Sequence, residues 1–175
     1  MSLLQPIAPY RDEGLHSTPS DQKPEAASQT FKVGAPLVWS SGYLAEAGTN
    51  PTEIFGVSLA AGHGFTYAGG PAVAVDEAIP PLNLCGFVPI GPGVIFAISV
   101  DKASGQGTSS AILAQASEGV TFGITKDSTT GYWYLDVDKT ATYLVVRVVG
   151  FIDPPSTVNG RVQVKFLPAP DVQVT

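Results

Sequence analysis

The chain is poor in the side chains from which chemistry is usually built. It has one cysteine, one methionine and two histidines, and charged residues make up only 14% of it, against about 25% in ordinary soluble domains. A lone cysteine excludes an internal disulfide framework and suits a reducing compartment. Cys85 lies in the apolar stretch NLCGF, which predicts a buried, inert thiol. His16 and His63 are too far apart in sequence to suggest a ligand pair, so zinc would need both of them plus Cys85. The nine Lys and Arg residues are scattered singly. Nucleic-acid binding by clustered cations is therefore not expected. No run approaches the roughly 18 apolar residues of a membrane helix, and the start, MSLLQPIAPYRDEGLH, lacks the basic region of a signal peptide. The chain reads as soluble, made in the cytoplasm, with neither nucleic acid nor membrane as partner.

What the sequence does have is strand and turn. Hydrophobic residues reach 44%, and 19 glycines and 15 prolines punctuate short alternating runs. APLVWSSGYLAEA reads as a hairpin about Ser41-Gly42, and VTFGITKDSTTGYWYLDVD as a second about Thr130-Gly131. LCGFVPIGPGVIFAISVD gives two strands broken at Gly91-Pro92-Gly93. YLVVRVVG and RVQVKFL flank a turn at Asn159-Gly160. One short helix is expected within 103–119, capped by Ser109 or Ser110 and ended by Gly119. The fold class is all-β, a β-sandwich or partly open β-barrel with one short helix and an extended N-terminal arm. No internal repeat of fixed period is visible.

Residues 1–30 divide from the rest. The polar stretch 11–30, with Pro19 and Pro24, predicts a flexible arm, and 31–175 a single β domain. Ahead of that stretch lie Leu3, Leu4, Ile7 and Tyr10, which read either as a frayed terminus or as an apolar anchor for a partner. Deletion of 2–30 is then expected to leave a folded core.

Searches for catalytic patterns give near misses. GVSLA, around Ser58, fails the nucleophile-elbow pattern G-x-S-x-G at its last position. GHGFTYAGG carries Tyr67 where a dinucleotide loop needs a third glycine. Asp136 and Asp138 flank Val137 on one strand face, a pairing that could serve calcium or glycoside hydrolysis. Beside Lys139 and ahead of a turn, they are expected simply to face water. Trp39, Tyr67 and Trp133 are candidate sugar platforms, although strand alternation also accounts for Trp133 as core. The chain is read as no enzyme, with no cofactor and no metal.

The order of motifs carries more than any one of them. GAPLVW, SGYL and NPTEIFG, then VIFAISVD, the aromatic hairpin GYWYLD, a valine-rich strand, the turn IDPP and a final GRVQVKF resemble small head proteins of tailed bacteriophages over residues 31–167. The resemblance implies a capsid decoration (cement) protein. Such a protein is mostly β, forms a homotrimer, and binds the major capsid protein on the outer surface of the assembled virion shell. It implies Leu3, Leu4, Ile7 and Tyr10 as a capsid-binding arm, with Phe65 and Tyr67 in the long 62–84 connection as a second contact. The alternative is a carbohydrate-binding or other tail or fibre module of the virion.

Overall fold

The computed structural model describes residues 4–12, 19–64, 84–104 and 112–168. These form eleven strands: β1 (Ala8–Asp12), β2 (Asp21–Pro24), β3 (Pro36–Ser40), β4 (Tyr43–Glu46), β5 (Gly56–Ser58), β6 (Leu84–Pro89), β7 (Val94–Asp101), β8 (Thr121–Lys126), β9 (Trp133–Asp136), β10 (Val146–Phe151) and β11 (Arg161–Phe166). The fold is all-β. The predicted hairpins are present, and Ser41 and Gly42 both take positive φ, the requirement of the two-residue type I′ turn. The Gly91-Pro92-Gly93 break carries the chain from one sheet to the other.

The two sheets are copies of one design. In the second, β7 pairs with β11, β11 with β10, β10 with β8 and β8 with β9, all antiparallel. A parallel contact of β9 with the end of β7 then closes a five-stranded barrel. The first sheet follows the same path, β2-β6-β5-β3-β4. It is drawn towards closure by the single parallel bridge Glu25–Leu44. Register agrees residue for residue. Gly56 opposes Leu37 and Pro89 as Val146 opposes Phe122 and Phe166. Trp39 opposes Leu44 as Ile124 opposes Leu135. The links outside the strands match too: Phe55 N–H donates to Leu37 O and Ile90 N–H to Phe55 O, as Val145 does to Phe122 and Leu167 to Val145. The connections between matched strands differ in length, so the sequence offset between matched residues changes from strand to strand and hides the repeat from any fixed-period reading.

The second barrel follows its sequence pattern closely. Along β11, Val162, Val164 and Phe166 are buried while Arg161, Gln163 and Lys165 stay half-exposed, each buried side chain contributing about 1.5–3 kcal/mol. One hydrophobic cluster runs through both barrels, from Leu37, Leu44 and Phe87 to Phe96, Ile124 and Val164.

Two sequence expectations change form. Residues assigned to the arm enter both sheets: β1 pairs with the outer edge of β7, and β2 is the first strand of the first barrel. The polar stretch hid β2, whose Asp21 and Gln22 are exposed because it is an edge strand. Deleting 2–30 therefore removes two strands rather than a tether. Of the expected helix, the described residues hold only a 3₁₀ turn, Gln115–Ser117, while Ser109 and Ser110 lie outside them. The neighbouring backbone is committed elsewhere, with Ser156 N–H donating to Leu113 O and Gly119 N–H to Val148 O.

The N-terminal segment crosses Gly34, whose φ is +81°. A Cβ there would lie 2.6 Å from both Ile7 N and Ile7 O. Gly34→Ala is expected to cost about 1–3 kcal/mol through overpacking and a strained φ, read as a lower urea midpoint. Because the core is continuous, the unaltered protein is expected to unfold in one transition, with far-UV dichroism and tryptophan fluorescence superimposing. Two separated transitions would mean that the barrels are independent.

Candidate interaction surface

Ser58, Asp136 and Asp138 each take hydrogen bonds within the fold. Ser58 is buried; its hydroxyl donates to Lys32 O and accepts from Ala35 N–H, pinning the entry to β3. Asp136 does not face water: it is 0% exposed. Its carboxylate accepts from the Ala103 and Asp138 N–H groups and from the Thr125 hydroxyl, tying β9 to the exit of β7 and to β8. Its buried position on a strand held by two neighbours accounts for the departure from the solvated expectation. Asp138 is exposed and accepts from the Ser104 hydroxyl at 2.6 Å and from the Ser104 N–H, which hold its carboxyl below the usual range.

His63 and Cys85 are not brought together as ligands. The His63 ring Nδ1 lies 2.9 Å from the buried Glu25 carboxylate, which also accepts the His63 N–H. Cys85 is buried, and burial, with the Glu25 charge adding to it, pushes its thiol up to about 12. Among the described residues no group of three or more His, Cys, Asp or Glu could hold a metal ion. His16 lies outside the described residues.

Trp133 is buried, and its indole N–H donates to Glu46 Oε1 at 2.9 Å. Neither of its faces is open for stacking on a sugar. Glu46 belongs to β4, so this bond joins the barrels, as does Lys126 Nζ to Glu46 at 2.7 Å. Lys139 adds a third tie. Its ammonium donates to Thr49 O, Asn50 Oδ1 and Ile124 O at 3.0–3.1 Å. Burial holds it below the usual lysine value, opposed by the nearby Asp136 charge. Tyr132 receives the Lys32 ammonium over its ring, 4.7 Å from the centroid.

The four residues proposed for the arm separate. Leu4 and Ile7 are buried in their own chain, Tyr10 is exposed, and Leu3 lies outside the described residues, as do Phe65 and Tyr67. Among the exposed large hydrophobic residues described, which also include Tyr10, Val33 and Leu59, two rings lie against each other. Trp39 and Phe55 are 39% and 37% exposed. Their centroids are 5.4 Å apart, and Phe55 continues at 5.4 Å to the buried Phe87. The sequence singled out Trp39 but missed Phe55, because its partner ring is sixteen residues away across a strand and only the barrel brings them together.

No family model matches the chain, and neither a curated protein nor a solved structure shows significant similarity to it.

Two measurements follow. Cys85 is expected to react with a thiol reagent at pH 8 only after denaturant is added, since an inaccessible neutral thiol is a poor nucleophile. Asp127 has its carboxyl held low although burial opposes this, because hydrogen bonds from Thr130 and Thr129 outweigh it. Asp153 is held low by Arg161. Carboxylates with depressed folded values contribute stability above the unfolded value of about 3.9, and lose it as pH falls through the folded value. The urea midpoint is therefore expected to drop below about pH 4 as these groups protonate, a loss that Asp127→Asn should reduce.

Proposed function

We propose that this is a structural virion protein, a decoration protein that binds the outside of an assembled phage capsid and stabilises it. The reading draws on the motif order of residues 31–167. The structural observation that carries it is the Trp39–Phe55 ring pair, displayed on a rigid all-β scaffold whose buried polar side chains serve the fold. Aromatic residues are the usual anchors of interfaces because they bring large area at small entropic cost.

A decoration protein works by mass action: binding only the assembled shell favours that shell over its burst or dissociated forms. Several copies joined as a homotrimer would convert modest contacts into tight attachment. With Leu4 and Ile7 buried in the protein's own core, attachment falls to exposed groups, Trp39, Phe55 and Tyr10 among them. The net charge of −6 suits the outer surface of the shell, away from packaged nucleic acid.

The test is co-sedimentation of the purified protein with undecorated shells of the virus that encodes it. Saturable binding that raises the temperature of shell disruption is expected, with Trp39→Ser weakening binding at least tenfold. Failure to bind shells at any concentration would sink the proposal. The exposed Trp39 ring favours one second reading, a carbohydrate-binding module, which saturable binding on a glycan array would support.

A further inference from the structure

Lys139 joins the two barrels with both its stem and its head fixed. The stem runs over Gly123, where a Cβ would lie 2.7 Å from Lys139 Cδ and 2.8 Å from Lys139 Cβ. The missing side chain at Gly123 thus makes the room in which the stem lies. The head is held by three oxygens: Ile124 O and Asn50 Oδ1 at 3.0 Å, and Thr49 O at 3.1 Å. Two of these are backbone carbonyls, which can only accept. The third belongs to a carboxamide, whose carbonyl carbon lies one bond of about 1.2 Å beyond the oxygen.

Burial holds the Lys139 ammonium below the usual lysine value against the opposing pull of Asp136, which raises its neutral share at a given pH. A neutral Lys139 keeps two N–H groups for the carbonyls of Ile124 and Thr49. Its lone pair then takes the remaining direction, towards the Asn50 amide. A nucleophile and an electrophile held at such a distance need little further ordering to react. Asn50 is exposed, so ammonia leaving it passes straight to water. The next residue is Pro51, which has no backbone N–H. The ring closure by which asparagine usually loses ammonia needs that N–H. It is closed to Asn50, and the amide stays available to Lys139.

We propose that Lys139 and Asn50 join in an isopeptide bond formed by the folded protein itself, tying the two barrels covalently. Lys139 first gives one proton to water. The Nζ lone pair then forms a bond to Asn50 Cγ, a second proton moves from Nζ to the amide nitrogen, and the Cγ–Nδ2 bond breaks to release ammonia. The balance needs no oxidant or reductant. The two residues are 89 apart in the chain, so the bond closes a long loop and restricts the unfolded chain. The inference rests on the contact between the barrels and does not depend on shell binding.

The test is the intact mass of the purified full chain. A mass one ammonia below that of the sequence is expected, with digestion giving one branched peptide that carries both residues. Asn50→Ala and Lys139→Arg are each expected to show the full mass of their own sequences. Asn50 is exposed, so its replacement leaves the fold intact, and an arginine keeps donors at position 139 but stays charged and cannot attack. A parent mass equal to that of the sequence would overturn the proposal if Asn50 and Lys139 stay in separate linear peptides after prolonged incubation of the folded protein at about pH 9. So would an ammonia loss that persists in Lys139→Arg, which would place it at another residue.

Discussion

The barrel depends on one strand in each half being paired along both edges. β7 bonds β11 on one side, and on the other holds β1 at its start and β9 at its end. Backbone N–H and C=O groups buried without partners are costly, so a strand at the centre of the structure needs all these neighbours. The parallel contact Val100–Leu135 and Asp101–Asp136 is short, but it turns an open sheet into a closed wall. Asp136 makes the closure specific by gathering Ala103, Asp138 and Thr125 around one carboxylate. At the same place the first barrel has the Glu25–Leu44 bridge, with Ala26 N–H donating to Leu44 O and Glu46 N–H donating to Gln29 Oε1 beside it.

Two long side chains hold the halves in one orientation. Glu46 takes the Trp133 indole and the Lys126 ammonium from the second barrel, and Lys139 gives its ammonium to backbone and side chain of the first. These bonds sit at the rim of a shared apolar core. They fix register while burial supplies most of the stabilisation. Repetition of a small barrel thus yields an asymmetric pair: Ile124 and Val145 are buried in one half, while the residues at the matching positions of the other, Trp39 and Phe55, are exposed.

Much of the fold was legible in the sequence because hairpins are local. Ser41-Gly42 and the alternation of RVQVKF announce themselves within a few residues. β2 was not legible: Asp21, Gln22 and Lys23 are polar because they lie at an edge, and the flanking prolines reinforce the look of a linker. The repeat was not legible either, because it resides in hydrogen-bond register and is masked by unequal loops. Asp136 looked like a surface acid because no local pattern tells which strand will be covered on both faces. The Trp39–Phe55 pair needed the tertiary fold to exist at all.

The placement of β1 couples the two halves of the chain. Its backbone pairs with β7 of the second barrel, from Ala8 opposite Ala97 to Asp12 opposite Val94. Ile7, just ahead of it, lies against Gly34 of the first barrel and belongs to the shared core. One short strand thus works as a clasp, with its backbone committed to one half and its preceding side chain to the other, so that neither half can shift without disturbing it.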